Sequence, residues 1–514
     1  MTNDKNKPRV HKTLPVTSPT TAEKAEQSIF FIYLFFLCFI TLPFGSAQQH
    51  FSFFLSGFTA LLTVLFCINH LFFFKHQENK PAAGSLKKAW AVILLFTLVI
   101  VWQIVQLIPL DRETLAILSP ERALYYWPIS PPQKLSISFS ELPTIRNILL
   151  SSGYLMIFLL TIGLLNSTKR LSYFLYTLVV LGSLQAIYGS TSVLSGYNSV
   201  LGFEKPETYA GHATGTFFNY NHYANLLTIC ASATIGLLLS GHNQPITNQW
   251  KQRIRELIKI LLDKKLVFRI ALTLMVIAIV LSKSRMGNSA FFFSLMTGGM
   301  IWLSLSGKLN KGFLGLFISM LVIDVFIISH WFGLLQLLER FETTELDLEN
   351  RTLATPYLIA MFNDFKLTGV GSGQFEFVFP LYNQMNTDKF YNEAHNDYLQ
   401  FLIELGIIGF TPLFLAVSAS FACAIQVMRV RKNPLLKACG FVTVMSMLAC
   451  GLHAITDFNF QIPANAVFFV VMMALPWAAL NCERKKQRKR KHSRSRTKNT
   501  RLNHSLDNNS LPTS

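Results

Sequence analysis

Charged residues are scarce in this chain. Only 14% of its 514 residues are Asp, Glu, Lys or Arg, against roughly a quarter in soluble domains. Hydrophobic residues make up 51%, including 45 Phe, and the mean hydropathy is +0.37. A soluble fold cannot hide so much apolar surface behind so few charges. The composition therefore excludes an ordinary soluble protein and predicts an integral membrane protein.

Motifs for metal or nucleotide binding are also lacking. The sequence has no HExxH, no paired CxxC and no DxD in a convincing context, which argues against a zinc site or a metal-dependent nucleotide-sugar glycosyltransferase. The glycine-rich stretch 369–373 is not followed by the GK[ST] of a Walker loop. The seven cysteines lie in or at the ends of apolar runs, so we interpret them as small core residues. No metal and no cofactor are predicted.

Apolar runs of roughly 17–25 residues predict about twelve transmembrane helices, because about 20 residues cross the hydrocarbon core. The predicted fold class is therefore all-α, a polytopic helical bundle over residues 28–481, preceded by a cytoplasmic segment, 1–27. The predicted spans are 28–45, 51–74, 89–110, 148–165, 171–194, 217–240, 266–282, 288–306, 312–331, 398–425, 435–455 and 462–481.

Lysine and arginine predict the orientation of these spans. Basic loops stay in the cytoplasm, so both termini are predicted to be cytoplasmic. The basic tail, 482–514, is then expected to contact anionic membrane lipids and no nucleic acid. The basic loops are 75–88, 166–170, 241–265, 307–311 and 429–437. The outer segments long enough to hold a site are about 111–147, 195–216 and 332–397, of which the last is the longest and acid-rich.

Twelve spans with both ends inside is also a common layout of transporters. A transporter is expected to have two related halves and polar groups near the middle of the membrane. Here the polar clusters fall at the predicted outer face, and one outer loop dominates. This arrangement favours an outward-facing enzyme, with a membrane transporter as the alternative.

Two of these polar clusters open predicted spans, where polar groups suggest function. Asn219 and Asn221 lie in GTFFNYNH, 215–222; they either cap the next helix or donate to a ligand oxygen. Arg285 lies in SKSRMG, 282–287. Its guanidinium either binds a phosphate bidentately or anchors the helix at the interface.

The other clusters belong to the long outer loop and its neighbours. Glu349-Asn350-Arg351 precedes the GVGSG stretch, whose amides either approach an anion or form a plain turn. His395, in EAHNDY, either accepts a proton from an attacking hydroxyl or is an interfacial residue. His453 and Asp457 are four residues apart and are interpreted as a structural hydrogen-bonded pair on one helical face.

The order of these motifs resembles the O-antigen ligase family. GTFFNYNHYANLL, SKSRMG, ENR, GVGSG and AHNDYLQFLIELGIIG follow one another from about 211 to 410, within a core of about 211–425. Looser likenesses lie near 102–110 and 453–463. The family also contains O-antigen polymerases and bacterial protein O-oligosaccharyltransferases. The resemblance implies a multi-pass protein of the bacterial inner membrane with a large periplasmic loop, here 332–397.

The resemblance also implies a reaction and its residues. The donor is expected to be an undecaprenyl-diphosphate-linked glycan, used without metal or nucleotide. His395 matches the essential loop histidine, followed by Asn396. Arg285 matches the arginine of the serine-arginine motif, and Arg351 the arginine early in the large loop. In this hypothesis the arginines bind the diphosphate, and His395 deprotonates the acceptor hydroxyl, which attacks directly and inverts the anomeric centre.

The acceptor stays open at this level. It is a lipid A-core sugar in a ligase, the end of another lipid-linked repeat in a polymerase, and a Ser or Thr of an exported protein in an oligosaccharyltransferase. Protein-directed members often carry a further C-terminal region, whereas here a basic tail follows the last predicted span. Ligation to lipid A-core is therefore the first expectation.

Overall fold

The computed structural model describes residues 21–73, 83–124, 134–241, 264–306, 345–384 and 391–482, together with Gly315. The described chain is mostly helical, and its strands form two short antiparallel hairpins, β1 (Leu110–Asp111) with β2 (Lys134–Leu135) and β3 (Ser199–Val200) with β4 (Phe203–Glu204). The predicted all-α membrane fold is therefore confirmed.

Sixteen helices are described. In chain order they are α1 (Thr21–Phe39), α2 (Gln49–Ile68), α3 (Ala83–Leu86), α4 (Trp90–Val105), α5 (Arg112–Leu118), α6 (Pro120–Leu124), α7 (Glu141–Leu164), α8 (Thr168–Leu194), α9 (Tyr220–Ser240), α10 (Lys264–Leu281), α11 (Arg285–Ser306), α12 (Glu345–Asp364), α13 (Phe375–Val378), α14 (Asp397–Val430), α15 (Pro434–His453) and α16 (Pro463–Cys482). A π-helical turn, Asn69–Phe73, continues α2.

Eight helices of the described ranges are long and apolar enough to cross a membrane: α2, α7, α8, α9, α11, α14, α15 and α16. Helices α1, α4 and α10 also lie where spans are predicted. They are not among the eight, because α4 has only 16 residues and because α1 and α10 each carry charged residues in their first turns. Apart from Gly315, the predicted span 312–331 lies outside the described residues, as do parts of the predicted loop, 332–344 and 385–390.

The core of the bundle lies around α9, α15 and α16. The apolar windows of α9 and α16 are 83% and 89% buried, whereas that of α2 is 28% buried. A helix that is apolar all round and enclosed by others belongs to a core, and one with a single covered face lies at the periphery. The bundle therefore has central helices around which α2 and its neighbours form an outer layer.

The segments predicted to be outside meet at one end of this bundle. Thr216 Oγ1 donates to the Thr41 carbonyl at 2.6 Å, and Ala213 N donates to the Leu281 carbonyl at 3.1 Å. At the opposite end, Asn166 Nδ2 donates to Glu26 Oε1 at 2.7 Å. These contacts tie the start of α9 to the ends of α1 and α10, and the start of α8 to α1 near its first turns.

Helix α14 contains the predicted span 398–425 and is broken within it at Gly406. Gly406 has φ 62° and ψ −179°, a conformation that only glycine adopts readily. The break lets the chain at 366–371 pair with it: Val370 N donates to the Ile403 carbonyl at 2.9 Å, and Ile407 N to the Lys366 carbonyl at 2.9 Å. The long outer segment is thereby attached to the bundle and carries helices α12 and α13.

Candidate active site

The carboxylate of Asp457 is surrounded by three imidazoles at the end of the bundle where the segments predicted to be outside meet. Asp457 Oδ1 lies 3.9 Å from His395 Nδ1 and 4.0 Å from His222 Nε2, and Oδ2 lies 3.8 Å from His453 Nε2. These distances are those of ion pairs with a protonated imidazole and are longer than direct hydrogen bonds. Catalytic hydrogen bonds are often long without substrate and tighten when it binds. The cluster is therefore suited to hold a proton.

His395 is the most accessible of these three imidazoles. Its side chain is 30% exposed, whereas those of His222 and His453 are 5% and 2% exposed. A general base must reach the proton that it abstracts. The rings of His395 and His222 each contact Phe458 edge-to-face, with centroids 4.8 Å apart. Phe458 therefore fixes ring orientation while His395 stays open to a substrate.

The backbone around His395 is held in an unusual conformation. His395 has φ 50°, and non-glycine residues in this region cluster at functional sites because the conformation is strained. Asn396 caps α14 by accepting from Leu399 N at 3.1 Å. Ala394 N donates to Gln400 Oε1 at 2.9 Å, and Asp397 N donates to the Ala454 carbonyl at 2.9 Å. These contacts on both sides hold His395 in place.

Arg285 lies on a second turn at the same end. It opens α11, is exposed, and follows Lys283, another non-glycine residue with positive φ, 56°. Ser284 Oγ donates to Asn221 Oδ1 at 2.6 Å, so the turn is attached to the start of α9. Because the next residue of α9 is His222, the Arg285 turn joins the cluster around Asp457 through one connected set of contacts.

The asparagines of the first motif hold this arrangement together. Asn219 caps α9 by accepting from Asn221 N at 2.8 Å, and its Nδ2 lies 3.4 Å from His222 Nε2. Asn465 Nδ2 donates to the His222 carbonyl at 3.1 Å. The capping interpretation therefore describes Asn219, while Asn221 connects α9 to the arginine turn.

Arg351 lies in α12, but its side chain is outside the described part of the structure. Helix α12 packs against α14. Leu358 and Met361 belong to one apolar cluster with Ala394, the neighbour of His395. The helix that bears Arg351 is therefore attached to the segment that bears His395.

The GVGSG stretch does not offer its amides to an anion. Gly369 N donates to the Phe365 carbonyl, Gly371 N to the Glu404 carbonyl and Ser372 N to Gln106 Oε1. Val370 N likewise donates to the Ile403 carbonyl, and Gly373 N donates to Glu404 Oε2. The turn interpretation is therefore correct, and the anion-binding interpretation is wrong for these glycines.

From sequence, neither Asp457 nor His222 is assigned to the site. Asp457 was interpreted as a hydrogen-bonded partner of His453 alone, whereas it also faces His395 and His222, and the His453 contact is longer than a hydrogen bond. His222 was visible only as the last residue of the GTFFNYNH motif. The signal that points to both is a polar residue at the outer end of a span.

The fold and cluster define a polytopic helical membrane protein with a histidine, a carboxylate and an arginine turn at one end. Residues 270–414 match the model of the family described as O-antigen ligase. The resemblance drawn from the motifs is confirmed over that region, which contains Arg285, Arg351 and His395. No curated protein matches the chain. The family match implies glycan transfer of the O-antigen ligase or polymerase type.

Proposed function

We propose that this protein transfers a glycan from an undecaprenyl-diphosphate-linked donor to an acceptor hydroxyl, as an O-antigen ligase acting on lipid A-core. The proposal includes the orientation predicted from the basic loops, with both termini cytoplasmic and the site at the periplasmic face of the bacterial inner membrane. The observation that carries it is the partly exposed His395 beside the buried Asp457 carboxylate. The start of α9, which contributes His222 to the same cluster, also contacts the Arg285 turn.

In the proposed step, the acceptor oxygen attacks the anomeric carbon of the donor. The new C–O bond forms as the bond to the diphosphate breaks, and undecaprenyl diphosphate leaves with the electron pair. The hydroxyl proton passes to His395, whose Nδ1 faces Asp457, and general-base catalysis of this kind contributes about 10²–10⁴-fold. Direct attack inverts the anomeric centre, and the step needs no metal.

The arginines have the complementary role. Arg285 and Arg351 bind the diphosphate and stabilise the charge that grows as the glycosidic bond breaks. A guanidinium suits this task because its planar fork matches phosphate oxygens bidentately. Asn219, Asn221 and Asn396 support the site by holding the starts of α9 and α14 and the Arg285 turn. Asp457 positions His395 and stabilises its protonated form.

Glycan profiling of cells that lack the protein tests this proposal. The cells are complemented with the wild type, with His395→Ala, or with His50→Ala, a matched control on the exposed start of α2. We expect wild type and His50→Ala to attach polymer to lipid A-core. With His395→Ala, we expect bare lipid A-core and accumulated long lipid-linked glycan.

Other outcomes separate the alternatives. Single repeats on the core, in place of polymer, indicate a polymerase. Unchanged lipopolysaccharide with loss of glycoprotein indicates a protein O-oligosaccharyltransferase, and no change in any glycan with altered solute uptake indicates a transporter. Full complementation by His395→Ala contradicts the proposed chemistry, whichever acceptor is used.

A further inference from the structure

A cavity of about 510 Å³ lies at the end of the bundle opposite the histidine cluster. Helix α14 begins beside His395 and ends at Val430, and α15 returns from Pro434 to His453. Both helices are long enough to cross a membrane, so the turn between them lies at the far end. The cavity is formed by this turn, by the adjoining ends of α14 and α15, and by Trp302 near the end of α11.

The walls of this cavity are strongly basic. They carry four cationic side chains and, among the described residues, no carboxylate; the four are Arg429, Arg431, Lys432 and Lys437. Within the described ranges, Arg429, Lys432 and Lys437 also make no ion pair. Like charges around one cavity repel one another, and an anion between them relieves that repulsion. The walls therefore suit an anionic ligand such as a phosphate.

The larger cavity at the other end of the bundle has the opposite character. It has a volume of about 790 Å³, lies beside the His395 segment, and is lined by Arg146 together with four carboxylates, those of Glu376, Glu393, Asp397 and Glu404. The positive-inside rule explains why a cytoplasmic loop is basic, but it does not explain why the charges of the α14–α15 turn line one cavity. The basic cavity is thus a feature of the tertiary structure.

Backbone contacts hold the turn between α14 and α15 in place. Arg431 N donates to the Val427 carbonyl at 3.1 Å and closes α14. Asn433 Oδ1 accepts from Leu435 N at 2.9 Å and caps α15. Because Pro434, the first residue of α15, lines the cavity, the positive end of the α15 dipole lies there too and adds to the attraction for an anion.

Side-chain packing fixes the surroundings of the turn. A Cβ at Gly440 would lie 2.7 Å from the Ala424 carbonyl oxygen, so α14 and α15 approach each other more closely than a larger residue would allow. Trp302 packs edge-to-face on Phe441 of α15, with ring centroids 5.8 Å apart. The cavity is therefore enclosed by helices whose positions are set by packing.

An apolar face leads from the cavity along α14. Val430, which lines the cavity, is 53% exposed, and Leu415 is 47% exposed. These two residues lie about four helical turns apart, within about 60° of the same face and roughly 22 Å along the axis. An acyl chain can cover such a face, and tryptophan, here Trp302, is enriched at the level of lipid head groups. The cavity is therefore placed for a phosphate that carries hydrocarbon chains.

From this arrangement we infer that the cavity binds the phosphate head group of an anionic phospholipid, whose acyl chain lies along the exposed face of α14. The guanidinium and ammonium groups donate charge-assisted hydrogen bonds to the phosphate oxygens. Free phosphate satisfies the same cations but leaves the apolar face uncovered. In the orientation predicted from the basic loops, the lipid belongs to the cytoplasmic leaflet, where basic pockets between helices bind anionic head groups. The site is independent of the proposed glycan transfer.

Photolabelling of the full-length protein in nanodiscs tests the site. The nanodiscs contain phosphatidylcholine with a small fraction of phosphatidylglycerol that carries a photoactivatable group in its acyl chain, and crosslinks are mapped by mass spectrometry. We expect saturable labelling at 415–430, which unlabelled phosphatidylglycerol competes away and which phosphatidylcholine and inorganic phosphate do not. Mapping the crosslinks separates this site from the basic tail.

A pair of double variants separates the cavity from the general basic charge of this end. Arg429→Gln with Lys432→Gln removes two cavity charges and should weaken labelling about tenfold. Lys24→Gln with Lys169→Gln removes the same charge from exposed residues at the same end, outside the cavity, and should not. Equal loss of labelling in the two double variants overturns the inference.

A second pair of variants adds a carboxylate and removes no cation. Val430→Glu puts the negative charge into the cavity and should also weaken labelling. Leu71→Glu, on a 61% exposed side chain at the same end, should leave it unchanged. Competition by phosphatidylcholine as strong as that by phosphatidylglycerol contradicts an anion site, and displacement of the label by inorganic phosphate overturns the assignment to a lipid.

Discussion

His395 Nδ1 lies 3.9 Å from Oδ1 of Asp457, a carboxylate that is 1% exposed. The two residues belong to different segments, one before α14 and one after α15, which the hydrogen bond from Asp397 N to the Ala454 carbonyl holds together. A buried carboxylate beside an accessible imidazole stabilises the imidazolium form. This relationship makes His395 the best-placed base of the described residues at this end of the bundle.

Replacing Asp457 tests its positioning role. Asp457→Asn keeps the shape but removes the charge, so kcat for glycan transfer should fall about a hundredfold while KM for the lipid-linked donor changes little. The acid limb of the pH–rate profile should move to lower pH, because an imidazole without a carboxylate neighbour holds its proton less tightly. Steady-state transfer in proteoliposomes measures both.

His453→Gln is the matched comparison, because His453 contacts the other oxygen of Asp457 and is 2% exposed. It should leave the pH profile in place. If His453→Gln moves the profile as far as Asp457→Asn, the carboxylate acts on the whole cluster and not on His395.

Arg285→Lys tests bidentate recognition of the diphosphate. The charge remains, but the planar fork is lost, so KM for the donor should rise about tenfold. Arg269→Lys, on the exposed face of α10, makes the same change away from the site and should have no effect. Binding of the lipid-linked donor to purified protein provides the measurement. Equal affinities of Arg285→Lys and wild type would remove Arg285 from the diphosphate site.

Gly406→Ala tests the break in α14. A Cβ at Gly406 lies 2.2 Å from the Leu367 carbonyl oxygen, on a backbone with φ +62°. Both effects are unfavourable, and the free energy of unfolding should fall by about 3 kcal/mol or more. Gly57→Ala is the control, because nothing lies within 4 Å of its Cβ. Thermal unfolding in detergent should show a lower midpoint for Gly406→Ala only, and equal midpoints would contradict the argument.

The raised pKa of Glu393 predicts that the stability of the protein depends on pH. Burial raises the pKa of its carboxyl from 4.5 to about 8, and the Glu404 and Glu376 charges act in the same direction, against the hydrogen bond from Gln400 and the charge of Arg146. The folded state therefore binds more protons than the unfolded state between these values, so stability falls as pH rises through this window.

Glu393→Gln cannot ionise and should remove this loss. Its melting temperature should match the wild type at about pH 5 and exceed it at about pH 9. Glu113→Gln, on an exposed residue of α5, should track the wild type throughout. A constant difference between Glu393→Gln and wild type across the range would show that the carboxyl does not titrate in this window.

Part of the candidate site could be predicted from the sequence, because the motifs that indicate it are local. Arg285 and His395 lie within motifs that resemble one family, and the family match covers both. The spans were readable because crossing a membrane needs long apolar runs. The break at Gly406 was hidden, since it interrupts helical geometry without interrupting the apolar run. The use of the GVGSG amides was hidden as well, because their acceptors, such as Gln106 Oε1 and the Glu404 carbonyl, lie far away in sequence.

The sequence by itself determined that this chain is a helical membrane protein and which motifs to examine, because hydropathy and local residue order need no partner. The tertiary structure decided that Asp457 faces three histidines, that His395 is the most exposed of them, and that an acid-rich cavity lies beside the His395 segment. Those features arise where α9, α14, α15 and α16 meet. Such contacts depend on how helices pack and not on the order of residues within any one of them.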